Sequence, residues 1–184
     1  MLAGLTSLFN NGISNSLYES VFMANRFSSA VKKINSAPVF LRSFLLTKLF
    51  STTVKYAGTT GIKINEVSNE QVLLSIKNRK SVQNHIGGVH AIAAALLAES
   101  ATGIVFGMNV PDNKLPLLKS MTINYRRRMQ GNLTAVATLS PEQIQKIEQD
   151  EKGDMDVRVV ISDESGQEPI DCLMGWAWVT KREK

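Results

Sequence analysis

Asn84, His90 and Glu99 stand six and nine residues apart inside QNHIGGVHAIAAALLAESATG, residues 83–103. Counting histidines as neutral, Glu99 is the only charge between Lys80 and Asp112. Moving a carboxylate into so apolar a segment costs solvation energy, so some role must offset it. One role is chemical: a carboxylate can take a proton from water or attack a carbonyl itself. The bland alternatives are a buried ion pair or a cap on a neighbouring loop. A helix starting at Val89–His90 would aim unpaired N–H groups near Ala91, and its positive dipole end, at a developing oxyanion. Gly87 and Gly88 would let a ligand approach the backbone closely. Asn84 would hold the water or the carboxylate, or act as an N-cap. His90 would orient the turn or the reacting group, or be a hydrogen-bonded core histidine. His85 has no role that the residues argue for.

These groups need elements to hold them. The spacing is irregularly helical over residues 15–35. After Asn35-Ser36-Ala37-Pro38 it predicts an amphipathic helix from Val39 to Phe50. That helix reads as a cap on a core ahead of a segment lying on a membrane. Gly58-Thr59-Thr60-Gly61 punctuates, and alternation at Ile62, Ile64 and Val67 then predicts a strand. Ser68-Asn69 turns into a second strand, Val72–Ile76. Gly87–Gly103 predicts the longest helix and Gly107–Pro116 a loop. Leu117–Arg128 predicts a strand, and Gln130-Gly131-Asn132 a hairpin turn into the strand Leu133–Leu139. Ser140-Pro141-Glu142-Gln143 starts a short polar helix with a capping box. Val157–Ile161 and Asp171–Thr180 are the last strands, joined around Ser165-Gly166. Helices segregated from an antiparallel sheet make the class α+β. A helix so rich in alanine should be wrapped by the sheet.

The 184 residues suit one domain with an appendage: a helical extension over 1–57 and a domain over 58–184. Hydrophobic residues at 43 % and charged residues at 20 % describe a globular chain. Residues 1–60 hold six basic residues and one acid, whereas residues 61–184 hold fifteen of each. The basic leader suits an anionic surface or ligand, or simply helices with solvated lysines. One cysteine, Cys172, and two histidines give no disulfide and argue against a cysteine-rich or multi-histidine metal site. Cys172 lies in an apolar strand and reads as inert core, and a reducing compartment fits. The start lacks a charged segment before its apolar residues, unlike a secretory signal, and lacks the early arginines of a mitochondrial presequence. A cytoplasmic location is the expectation. No basic–aromatic interleaving suggests nucleic acid.

The whole pattern resembles the hotdog fold, a curved antiparallel sheet of about six strands around one central helix. Asn84, Gly87-Gly88, His90 and Glu99 match in spacing the motif of acyl-CoA thioesterases of the phenylacetic-acid-degradation type. Met121-Thr122-Ile123-Asn124-Tyr125 resembles that family's next strand. The resemblance covers about residues 58–180, and within the superfamily it is nearest to an uncharacterised bacterial branch. Two departures stand out. The family's His-Gly-Gly is His90-Ala91-Ile92 here, and Leu118 falls where a hydroxyl residue often positions water, with Ser120 and Thr122 nearby.

The resemblance implies thioester hydrolysis, with Glu99 as base or nucleophile, the amide near Ala91 polarising the carbonyl, and Asn84 and His90 as its helpers. It implies no cofactor beyond the CoA carried by the substrate. It also makes Arg126 and Arg128, on one face of their strand, candidates for the nucleotide phosphates. Helix geometry adds a constraint: nine residues rise about 13.5 Å, so His90 and Glu99 of one chain cannot both reach one carbonyl. Two chains with antiparallel helices can supply both, which requires at least a homodimer, with a tetramer equally open. The competing reading is a hotdog module that binds an acyl thioester or fatty acyl group without hydrolysing it. Phe40, Phe44, Phe50, Trp176 and Trp178 read as core, and either tryptophan could line an acyl tunnel.

Overall fold

The structure, a computed structural model, describes residues 25–181. The portion of the 15–35 helical reading that precedes residue 25 lies outside them. Among the described residues three helices come first: α1 (Arg26–Asn35), α2 (Val39–Thr53) and α3 (Lys55–Thr60). Asn25 caps α1 by accepting the Ser28 N–H at 2.8 Å. Gly61 ends α3 at φ 67°, a left-handed conformation in which glycine has no Cβ penalty. On α2 the buried residues are Leu46 and Phe50, while Phe40 is 82 % and Phe44 64 % exposed. The expectation of a core role for Phe40 and Phe44 is therefore corrected. One turn of α2 carries them on the solvent side, and its inward stripe comes later.

Six strands follow: β1 (Lys63–Val67), β2 (Gln71–Ile76), β3 (Lys114–Tyr125), β4 (Leu133–Thr138), β5 (Gly153–Asp163) and β6 (Ile170–Thr180). They form one antiparallel sheet in the order β1-β2-β4-β5-β6-β3. The turn at Gln130–Asn132 is not a hairpin turn, because β3 pairs with β6 and β4 pairs with β2 and β5. Gly131 does take a left-handed φ of 64°, but the bend sends the chain across the sheet. Its local residues signalled a turn and carried no information about pairing. β3 also begins earlier than expected and includes Pro116. A proline is tolerated there because, among the described residues, β3 is an edge strand with no ladder partner on its outer side.

The long helix is α4 (Ala91–Gly107), apolar around its whole circumference and packed into the concave face of the sheet. Ala94, Ala98 and Ala101 are fully buried, and their small side chains let the strands approach. Leu97 and Phe106 are also fully buried, each worth roughly 1.5–3 kcal/mol of apolar burial. α4 starts four residues later than the glycine pattern suggests, because residues 84–88 form their own turn. It also continues through Gly103 to Gly107. Residues from the leading helices (Val31, Leu46, Phe50, Ala57) join the same core cluster as Ile62 and Ile64.

A short helix, α5 (Pro141–Gln149), crosses between β4 and β5. Its capping box is complete: Ser140 Oγ accepts the Gln143 N–H at 3.3 Å and Gln143 Oε1 accepts the Ser140 N–H at 2.9 Å. At its other end the buried Lys114 amine donates to Ile147 O, Glu148 O and Asp150 O at 2.7, 3.0 and 2.9 Å. Three carbonyls at the negative end of a helix thereby hold the ammonium without a carboxylate.

Candidate active site

The approach to α4 is a closed network. Asn84 N–H donates to Gly88 O at 2.9 Å, and Gly87 N–H donates to Asn84 O at 3.1 Å. Asn84 Oδ1 accepts the N–H groups of Ile86 and Gly88, both at 3.1 Å. Gly87 sits at φ 77°, which only glycine adopts without strain. Arg128 donates to Ile86 O at 2.6 Å and Asn78 to Gly87 O at 3.0 Å, so two neighbouring segments grip the turn. His90 is the N-cap of α4: its Nδ1 accepts the Ile92 N–H at 3.1 Å, and its own N–H donates to Val82 O at 2.7 Å. Accepting at Nδ1 puts the proton of the neutral ring on Nε2. Tyr125 Oη donates to Ala91 O at 2.8 Å. Of the first-turn N–H groups, that of Ile92 is thus taken by the cap. Asn84 caps a turn and not the helix, and His90 is exposed, not buried in the core.

Glu99 lies nine residues along α4 in a different setting. It is half-buried, and Ser100 Oγ reaches its Oε2 only at 3.4 Å. Among the described residues it has no cationic partner. The structural roles weighed for it, ion pair and loop cap, are therefore not seen there. Burial raises its pKa above the ordinary 4.5, a shift that the Ser100 hydroxyl partly offsets. The carboxylate borders an apolar cavity of about 340 Å³. Gly103, one turn on, explains a mid-helix glycine: a Cβ there would lie 3.0 Å from the Trp176 ring and 3.8 Å from Glu99 Oε1. Trp176 is fixed by a hydrogen bond from Nε1 to Thr102 Oγ1 at 3.0 Å, and it stacks on Phe106 with centroids 5.6 Å apart. Trp176 lines the cavity. Trp178 is fully buried, its indole N–H bonded to Asp150 O at 2.8 Å.

One chain therefore brings together Asn84, Gly87, Gly88, His90, Ala91 and Arg128, and holds Glu99 apart from them. The arginine triplet divides three ways. Arg126 is exposed and paired with Asp171, and Arg128 is exposed and grips the turn. Arg127 makes two 2.9 Å bonds to Asp163, whose side chain is fully buried. Burial alone would raise the Asp163 pKa. Hydrogen bonds from Ser165, the Gln130 N–H and Arg127 overcome that and hold it at about 2. Cys172 has its thiol pushed up to about 11 by burial and by Asp171, so it stays protonated and unreactive. Sequence reasoning missed Tyr125 as a brace on Ala91. It also missed Phe27, Phe50 and Val54, which line the Glu99 cavity from the leading helices. No local motif marks such long-range contacts.

Residues 42–179 match the family DUF4442, a domain of unknown function, and the chain belongs to that family. The fold is shared with a protein of unknown function from Pseudomonas aeruginosa, named as a probable thioesterase. That protein is 22 % identical, with a TM-score of 0.68, over 74 % of this chain and 95 % of that one. A thioesterase from Haemophilus influenzae is similar at 16 % identity and a TM-score of 0.62, over 77 % and 92 % of the two chains. A thioesterase from Staphylococcus aureus, crystallised with a glutamine replaced by alanine, is similar at 18 % identity and a TM-score of 0.59, over 68 % and 99 %. A comparison with curated proteins finds no match. These similarities show a shared fold, the hotdog fold. No helix among the described residues is long and apolar enough to cross a membrane.

Proposed function

We propose that the protein is an acyl-CoA thioesterase whose site is shared between two chains. The observation that carries this is Glu99, a carboxylate without a cationic partner among the described residues, facing an apolar cavity with its proton affinity raised by burial. Such a carboxylate is a stronger base than a solvated one. In this reading water attacks the thioester carbon and gives its proton to Glu99. The carbon–sulfur bond then breaks and the proton passes to the departing thiolate, leaving a carboxylic acid and a free thiol. Direct attack by Glu99 on the carbonyl, through an anhydride that water opens, gives the same products. The carbonyl oxygen lies on the Ala91 N–H of the second chain, beside its Asn84 and His90. Arg126 and Arg128 reach the CoA phosphates.

Pairing is supported by β3. It is a twelve-residue edge strand that exposes Leu115, Leu117, Leu118 and Met121, a surface that a second copy would cover. A strictly monomeric protein in solution would sink the shared site. One observation favours the non-hydrolytic binding module: His90 occupies the Ile92 N–H, which leaves fewer first-turn donors for an oxyanion.

The test is thiol release from a panel of acyl-CoA esters, comparing wild type with Glu99→Gln on folded, size-checked protein. The expected result is turnover that falls by about 10²-fold or more in the variant. Wild-type turnover should rise with pH through a midpoint above 4.5, the direction set by burial of Glu99. Absence of turnover on every ester, with assembly and ligand binding unchanged in the variant, selects the binding module.

A further inference from the structure

The cavity beside Glu99 is built by elements from two origins. Glu99, Ile104 and Trp176 belong to α4 and β6, whereas Phe27 comes from α1, with Phe50 and Val54 from and just after α2. α1 lies wholly before residue 42, where the match to the family begins. It is also firmly fastened. Asn25 Nδ2 donates to Gly107 O at 2.8 Å and to Val110 O at 2.6 Å, while Asn25 Oδ1 caps α1. Arg26 Nε meets Asp112 Oδ2 at 3.1 Å, and Val31, one turn on from Phe27, is buried. One asparagine thus satisfies carbonyls at and just beyond the end of α4 and starts the helix that closes the cavity.

We propose that α1 forms the end wall of an acyl-chain site and that Phe27 sets the length of chain accepted, a medium-chain fatty acyl group. This rests on the thioesterase reading of Glu99. The cavity runs along α4 from Glu99 to Gly107. Those eight residues rise about 12 Å. An extended chain advances roughly 1.2 Å per bond, taking three backbone bonds per residue, so the run accommodates about ten bonds. Its exposed surface is mainly apolar, which suits a saturated chain, although Asp112, Lys114 and Lys181 also line it, and the carboxylate at the near end is where a carbonyl would be attacked.

The experiment uses the full chain and saturated acyl-CoA esters from four to eighteen carbons. It reads kcat/KM against length for wild type, Phe27→Ala, Phe27→Trp and Asn25→Ala, each checked for folding and size. The expected wild-type optimum lies at about eight to twelve carbons. Phe27→Ala should move it longer by two or more carbons and Phe27→Trp should move it shorter. Asn25→Ala, which loosens the fastening but leaves the wall side chain, should flatten the profile. Identical length profiles in folded variants that hydrolyse the esters overturn the role of α1 while leaving the thioesterase reading intact. If wild type hydrolyses no ester, the thioesterase reading fails. Direct binding of free fatty acids of six to sixteen carbons then decides the wall by itself: an optimum that shifts with Phe27 upholds it, and one that does not shift overturns it.

Discussion

At the start of α4, Asn84 Oδ1 collects two backbone N–H groups and His90 Nδ1 collects a third, with Arg128, Asn78 and Tyr125 bonded to carbonyls around them. Nine residues further on, Glu99 has among the described residues only a long contact from Ser100, and an apolar cavity beside it. The first region spends its polar groups on shape, and the second leaves a charged group underused. A hydrogen-bonded turn gains little by adding a ligand. A half-buried carboxylate without a cationic partner among the described residues gains a great deal, because a bound water that donates to it restores part of the solvation it lost. In the thioesterase reading proposed above, the difference separates groups that position from the group that reacts.

Three substitutions would break or sharpen that contrast. The largest effect on stability belongs to Asn84→Ala, which strips the acceptor from the Ile86 and Gly88 N–H groups. Urea denaturation should show a loss of about 2 kcal/mol. A loss under about 0.5 kcal/mol would mean the turn does not depend on its asparagine. Next is His90→Ala, which removes the cap on Ile92 N–H and should cost about 0.5–1 kcal/mol, with His90→Asn recovering most of it. Smallest, and opposite in sign, is Glu99→Gln. The folded-state pKa of Glu99 is raised, so the native protein holds that proton more tightly than the unfolded chain. Wild-type stability therefore falls as pH rises through the ordinary carboxylate range, and the glutamine variant escapes that fall. Thermal unfolding at neutral pH should show the variant slightly more stable, with the gap closing below about pH 4. A variant less stable at neutral pH would mean that Glu99 is a structural anchor.

Much of this was legible in the sequence, for definable reasons. Glu99 stood out because nothing charged surrounds it. The capping box at Ser140 and Gln143 is a local code that the chain obeys. The alanines of α4 announced a helix enclosed by a sheet. What stayed hidden depended on distant partners. Gly131 marks a turn, but whether the flanking strands pair is decided by β6, forty residues away. Two glycines before His90 read as part of a helix until the side chain of Asn84 organised them into a turn. In the arginine triplet, the half-buried member is Arg127 because Asp163 and Ser165 happen to meet it. The faces of α2 were misjudged at Phe40 and Phe44 because its apolar residues lie on more than one side.

The pairing order has a consequence for how the chain is made. β1 and β2 are adjacent in sequence and pair at once, and β4 and β5 extend them. β3 is synthesised before β4, yet its only ladder among the described residues is to β6, joining Lys114 to Thr180 and Tyr125 to Ile170. Asn25 likewise emerges 82 residues ahead of Gly107. Contacts so far apart in sequence form slowly, because long loops must close before they are rewarded. During synthesis β3 therefore waits as an open, leucine-rich ribbon. A chain cut short before residue 170 would leave that ribbon unpaired on both sides, a ready template for aggregation.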